Sequence, residues 1–275
     1  MTSTLKKLPK ATFELIIAFS WPEVQEVLEK LTAELAKEVE VKGFRKGKAP
    51  KKLAEEKIDK DKVFQEAIKK LVPEAYLEAV KKHDLKPIIN PKIELVTFKE
   101  EEDWVFKATS CEKPEVELGS YQDAIKKITA KSKIVLPGKE PQPPKLEELI
   151  QAVLESVNME IPDLLVENET NRSLAKLLDE IKALGLTVEQ YLSSVGKSVE
   201  QLRNEYTQKS VNDLKLEFIL DKIAAAENIA IKPEEVEEAI QKTEDKKAQE
   251  SLRQNSYLLA SLLRQQKTLD FLRNL

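Results

Sequence analysis

The run Val41-Lys42-Gly43-Phe44-Arg45-Lys46-Gly47-Lys48-Ala49-Pro50 holds two of the six glycines in the chain, four cations and one aromatic ring. From Lys42 to Lys52 there are six cations and no anion. Arg45 carries a planar guanidinium that can pair bidentately with a carboxylate or a phosphate. Gly43 and Gly47 let the backbone turn sharply and approach a partner closely. A loop of this kind suits contact with a large anionic surface. It lacks the convergent acid, base and nucleophile of a catalytic pocket. Spacing alone leaves a second reading open, a solvated basic turn with Phe44 folded into the core.

Elsewhere the residue inventory excludes most reaction chemistry. One histidine, His83, and one cysteine, Cys111, leave no set of zinc ligands of the usual kinds. Ser-His-Asp or Cys-His catalysis would have to use His83, which falls among lysines at a helix end and reads as structural. Cys111 ends a strand pattern and reads as a half-buried thiol; alone it forms no intrachain disulfide. Carboxylates are too frequent to signal a pair: Glu234, Glu235, Glu237 and Glu238 read as a solvated helix face, and Glu100 to Asp103 as a solvated turn. No Gly-rich phosphate loop is present. No catalytic residue, metal or cofactor is expected.

The elements that carry these residues follow from periodicity. Phe13, Leu15, Ile17 and Phe19 alternate along 10–19, the signature of a strand with one buried face. Ser20 and Glu23 have capping-box spacing, Phe19 and Val24 that of a hydrophobic staple, and Pro22 lies in a first turn. Val24, Val27, Leu28, Leu31, Leu35 and Val39 form a helical stripe that ends at Gly43. Pro50 restarts a helix. A longer one is expected from Asp61 to His83, with Pro73 bending it or lying near a boundary. Alternating runs at 87–90, 92–99 and 104–111 complete an antiparallel sheet covered on one face by helix. Residues 1–113 are thus an α+β domain with a helix–loop–helix tip.

Four prolines between Leu136 and Pro144 make 114–144 an extended Pro-rich linker. The rest, 145–275, is all-α. Helices are expected at 145–158, 162–184, 187–194, 198–228, 233–243 and 245–274. Thr187/Gln190 and Ser198/Gln201 repeat the capping-box spacing, and Gly185 and Gly196 act as breakers. The segments lack a fixed repeat or sustained heptads, against a solenoid or a simple coiled coil. Charge divides unevenly: 22 Lys and Arg stand against 20 Asp and Glu in 1–110, and 23 against 29 in the remainder. No stretch approaches the ~18 apolar residues of a membrane span, and the first residues lack a signal-peptide apolar region, so a cytoplasmic protein is expected.

Gly43-Phe44-Arg45-x-Gly47-x-x-Pro50 resembles the ribosome-docking signature of the trigger factor family, bacterial chaperones that meet nascent chains at the ribosomal tunnel exit. Leu85 to Ile88 and Lys113 to Leu118 are also similar to that family, as are Ile161 to Glu167, Gly185 to Leu192, Ala226 to Ile231 and Leu269 to Leu272. The resemblance implies a ribosome-binding N-terminal domain followed by a peptide-holding helical domain with arm-like extensions. It assigns ribosome contact to Gly43, Phe44, Arg45, Lys46, Gly47 and Pro50, with Lys42, Lys48, Lys51 and Lys52 as electrostatic support. The implied partners are a ribosomal protein and ribosomal RNA, nascent or unfolded polypeptides, and a weak homodimer. Client contact is expected among Ile161, Leu165, Val166, Phe218, Ile219, Tyr257, Leu258, Leu259, Leu262 and Leu263, although periodicity does not separate an exposed stripe from a buried one. The prolyl isomerase domain of the family, roughly a hundred residues as suits a single domain, has no room between 120 and 144, and its activity is not implied here. The function implied is that of an ATP-independent holdase docked on the ribosome. A ribosome-independent scaffold that clasps a partner protein, or an RNA-binding module using 42–52, are the alternatives.

Overall fold

The computed structural model describes residues 1–37, 58–132, 144–243 and 245–275. They form two compact units, Met1–Lys113 and Pro114–Leu275.

In the first unit, β1 (Thr2–Lys7), β2 (Thr12–Phe19), β3 (Lys92–Thr97) and β4 (Trp104–Cys111) make one antiparallel sheet in the order β1-β2-β4-β3. Two helices, α1 (Trp21–Leu35) and α2 (Lys60–Lys82), complete the described elements. Period-two alternation sends Phe13, Leu15, Ile17 and Phe19 of β2 to one face, with Trp104, Phe106 and Ala108 of β4 beside them. Val24 and Leu31 of α1 and Val63, Ala67, Ala75, Tyr76 and Ala79 of α2 close this core. Phe64, Phe98 and Trp104 meet with ring centroids 4.6–5.7 Å apart. Such pairs add about 0.5–1.5 kcal/mol each beyond their burial. The opposite sheet face is polar. Lys107 bridges Glu94 at 2.6 Å and Glu14 at 3.9 Å, and Lys6 reaches Glu14 at 3.6 Å. A one-residue slip of β2 would turn Glu14 toward the core and away from both lysines, so these pairs secure register more than stability.

β1 is a strand that periodicity does not announce. Thr2, Thr4, Lys6 and Lys7 give it no apolar alternation, and it lies at the sheet edge. The hairpin joining it to β2 turns through Lys10 and Ala11 at φ of 56° and 52°, closed by Thr12 N–H donating to the Pro9 carbonyl at 3.2 Å. Two successive left-handed residues suit the twist of a hairpin, but they are normally flagged by Asn or Gly. Pro73 neither ends nor bounds α2: it sits inside the helix, on its exposed side. Water can satisfy the carbonyl that its missing N–H leaves unpaired.

The second unit holds α3 (Tyr121–Ser132), α4 (Leu146–Ser156), α5 (Asp163–Ala183), α6 (Val188–Val195), α7 (Val199–Ala226), α8 (Pro233–Gln241), α9 (Lys246–Gln254) and α10 (Ser256–Asn274). The expected linker 114–144 therefore contains a helix. Tyr121, Ile125 and Thr129 recur at helical spacing and are all buried. The Tyr121 hydroxyl donates to Glu227 Oε1 at 2.8 Å, and Gln122 Nε2 donates to the same oxygen at 2.9 Å. Val116 is buried too, and Glu117 bridges to Asn158. The capping boxes at Thr187/Gln190 and Ser198/Gln201 are formed, with each amide–side-chain bond between 2.9 and 3.3 Å. Gly196, at φ 64°, closes α6 in the left-handed conformation that a side chain would strain. The single helix expected over 245–274 is broken at Asn255. Its backbone, at φ −109° and ψ 32°, leaves the helical range, although its N–H and its side-chain amide both donate to the Ser251 carbonyl, at 3.1 and 2.8 Å. Among the described residues, no helix is long and apolar enough to cross a membrane.

Candidate binding surfaces

Lys42, Gly43, Phe44, Arg45, Lys46, Gly47, Lys48, Pro50, Lys51 and Lys52 all fall within 38–57, outside the described residues. The elements on either side are well defined. α1 opens with Ser20, whose N–H and hydroxyl both donate to Glu23 Oε2 at 2.9 Å. The Met1 amino group bonds the other Glu23 oxygen. That ammonium, then the Ser20 amide and hydroxyl, lower the Glu23 carboxyl to about 2. α2 opens with Asp59, whose side chain accepts from the Asp61 amide at 3.0 Å. Ile58 packs against the core of the first unit. Each helix is capped at its N-terminus from outside 38–57, by Ser20 and by Asp59.

The expected client-contact residues separate into two groups. Ile161, Leu165, Val166 and Ile219 are buried in the second unit. They are used for packing, because α5 and α7 lie side by side and need apolar residues between them. Phe218, Leu259 and Leu263 are half-buried. Tyr257, Leu258 and Leu262 are 89%, 60% and 54% exposed on the first turns of α10. Charges around them are mostly balanced: Arg253 pairs with Glu237, Arg264 with Asp221 and Lys267 with Glu235, at 2.7–3.0 Å. The surface α10 offers is apolar and close to neutral.

Sequence reasoning missed a second exposed apolar group. Leu184, Leu186, Val188, Val195 and Val199 are exposed around the two ends of α6. They sit where apolar residues ordinarily mark a helix about to enter a core, so spacing gives no hint of exposure. Tyr191 and Leu192 of α6 pack instead on Leu177, Ile181 and Leu202.

His83 follows α2, its Nε2 3.2 Å from the Ser3 hydroxyl. Cys111 is fully buried at the end of β4, and burial pushes its thiol up to about 11. Among the described residues, no group of three or more His, Cys, Asp or Glu side chains could hold a metal ion.

Residues 1–136 match the family model described as bacterial trigger factor protein, and residues 144–274 match the model of the trigger factor C-terminus. The chain belongs to the trigger factor family. Only 137–143 lie between the two matched stretches, which leaves no room for an isomerase domain between them. Trigger factor from Natranaerobius thermophilus is 38% identical over 122 residues, which are 44% of this chain and 27% of that protein. Trigger factor from Moorella thermoacetica is 40% identical over 121 residues, again 44% and 27%. These alignments span about a quarter of the length of the curated relatives. The fold matches a solved structure from work on promiscuous substrate recognition in the folding and assembly activities of the trigger factor chaperone. That match has a TM-score of 0.69 and 16% identity, covering 100% of this chain and 99% of the other.

Proposed function

We propose that this trigger factor is an ATP-independent chaperone that docks at the ribosomal tunnel exit through residues 42–52 and shields nascent or unfolded polypeptides on exposed apolar faces of its helical unit. The observation that carries the reading is the Gly43-Phe44-Arg45-x-Gly47-x-x-Pro50 signature in a chain matched by both trigger factor family models. In this reading Phe44 is an apolar anchor and Arg45 a bidentate partner for a carboxylate or phosphate. Lys42, Lys46, Lys48, Lys51 and Lys52 are attracted to ribosomal RNA. Client contact falls to Tyr257, Leu258 and Leu262, with the exposed residues around α6 as a second apolar surface. Isomerase activity is not part of the proposal, because the segment between the two matched stretches is too short to fold as a domain.

Co-sedimentation with ribosomes tests the docking step. Phe44→Ala/Arg45→Ala/Lys46→Ala is expected to weaken ribosome binding by more than about thirtyfold, the loss that a single hot-spot side chain of about 2 kcal/mol would produce. The helices flanking the loop are capped from outside it, so the fold is expected to persist. Undiminished co-sedimentation of the triple variant rejects the docking assignment and favours a scaffold that works away from the ribosome.

A further inference from the structure

The core-facing side of the sheet is not covered to its edge. β3 is the outer strand beside β4, and among the described residues no strand pairs with its far side. Ile93 and Leu95 face the same way as their buried partners on β4, Ala108 and Phe106. Yet they are 37% and 49% exposed, since α2 packs mainly against β2. A strand edge offers a row of backbone N–H and C=O groups to another strand. After Leu95 the strand bulges at Val96, which ends regular pairing. The usable edge is therefore Pro91-Lys92-Ile93-Glu94-Leu95, in which apolar residues alternate with one cation and one anion.

We propose that this edge pairs antiparallel with the same edge of a second copy of the chain, centred on Ile93. In that register the segment is self-complementary. Lys92 stands opposite Glu94 of the second copy, and Glu94 opposite its Lys92, on the polar face. Ile93 meets Ile93, and Leu95 meets Pro91, on the core-facing side, so each copy covers apolar side chains of the other. Centring the pair on Lys92 instead would set two ammonium groups opposite each other, and centring it on Glu94 would oppose two carboxylates. Directly opposed like charges are destabilising, whereas opposite charges are favourable. Both neighbouring registers are thereby disfavoured. Glu94 holds Lys107 through Oε2 at 2.6 Å. A carboxylate has two acceptor oxygens, so Oε1 can take the ammonium of the second copy. A lysine on an edge ordinarily blocks strand addition; Lys92 blocks it except where the incoming strand sets an anion opposite. A five-residue contact falls below the ~1,200 Å² of a standard interface, so association is expected to be weak and concentration-dependent. The contact uses none of the residues assigned to ribosome or client binding and stands without that assignment.

Sedimentation velocity of the whole 275-residue chain over a concentration series is expected to show a monomer–dimer equilibrium. Lys92→Glu is expected to weaken it about tenfold, because two attractive cross-strand pairs become repulsive. Lys92→Glu/Glu94→Lys puts opposite charges back in register and is expected to recover most of that loss. Urea unfolding checks that each variant keeps its fold. A covalent readout tests the centre of the pair. Directly opposed residues hold their Cβ atoms about 4.5–5.5 Å apart, close to the reach of a disulfide. Ile93→Cys is therefore expected to cross-link in oxidised glutathione faster than Lys92→Cys or Glu94→Cys. The native thiol of Cys111 is fully buried and does not compete. A chain that stays monomeric at every concentration, equal cross-linking at the three positions, or no recovery in the charge-swapped variant overturns the proposal. A dimer indifferent to Lys92→Glu forms through another surface and overturns it as well. If the parent stays monomeric while Lys92→Glu alters binding of an unfolded client, the edge serves a different polypeptide and the proposal fails.

Discussion

At the scale of single residues, burial decides what each reactive side chain can do. Cys111 ends β4 with no solvent access, and desolvation holds its thiol near 11, above an ordinary value of 9.0. A thiol reagent at mildly alkaline pH is therefore expected to label the chain at the rate of unfolding, with no fast phase. The same shift has a stability consequence. Below pH 9 the thiol is neutral in both states and its ionisation contributes nothing. Between 9 and 11 the unfolded chain loses the proton while the folded chain keeps it, so unfolding is favoured by up to about 1.4 kcal/mol per pH unit. Because Tyr76, Tyr121 and Tyr206 are also shifted upward by burial, the measurement is the stability difference between the parent and Cys111→Ala. It should shrink steadily across that window in urea melts. A difference independent of pH would mean that the thiol ionises equally in both states.

At the scale of elements, the segment most unlike its sequence reading is α3. A Pro-rich linker would tolerate loss of a side chain, whereas a helix built into a core would not. Ile125 is fully buried, and Ile125→Ala is expected to cost about 2–4 kcal/mol in denaturant unfolding; a cost near zero would return 121–132 to the status of a linker. What was legible, and what was not, follows the reach of local signals. β2 and β4 were readable because one buried face imposes strict alternation, and the helix starts at Ser20, Thr187 and Ser198 because capping boxes are written in four consecutive residues. β1 was hidden by its polar edge position and by a hairpin turning through Lys10 and Ala11. The α9–α10 break is a change of backbone conformation at the single residue Asn255, which no wider pattern announces. The chemistry that motivates the proposed docking at 42–52 stands together in the sequence as Phe44, Arg45 and two glycines, while its structure lies outside the described residues. The split between Leu165 and Leu258, both apolar and both helical, was not legible, because it depends on which neighbour each helix acquires.

At the scale of the whole molecule, the proposed function raises the question of how a chaperone working without a nucleotide cycle would hold and release clients. Tyr257, Leu258 and Leu262 offer a small, nearly neutral surface. Fully burying one large apolar side chain yields roughly 1.5–3 kcal/mol, and association costs an estimated 4 kcal/mol or more before any contact is counted. Three half-covered side chains therefore give a net affinity that is weak on its own, which permits release without ATP. Tethering is what makes such a surface effective: a chaperone anchored where a nascent chain emerges meets its client at an effective concentration in the ~mM range. Anchor and apolar face should then fail independently. Tyr257→Ser/Leu258→Ser/Leu262→Ser is expected to weaken binding of a free unfolded client by about thirtyfold or more, with a matching loss of aggregation suppression, since three half-covered side chains together contribute roughly 2–4 kcal/mol. Its co-sedimentation with ribosomes should be unchanged. The loop triple variant should show the converse, intact suppression of a free client and lost co-sedimentation. If the α10 variant suppresses aggregation as well as the parent, client contact belongs to the residues around α6. If both variants lose both activities, anchoring and client binding share one surface, and the division of labour between the two units fails.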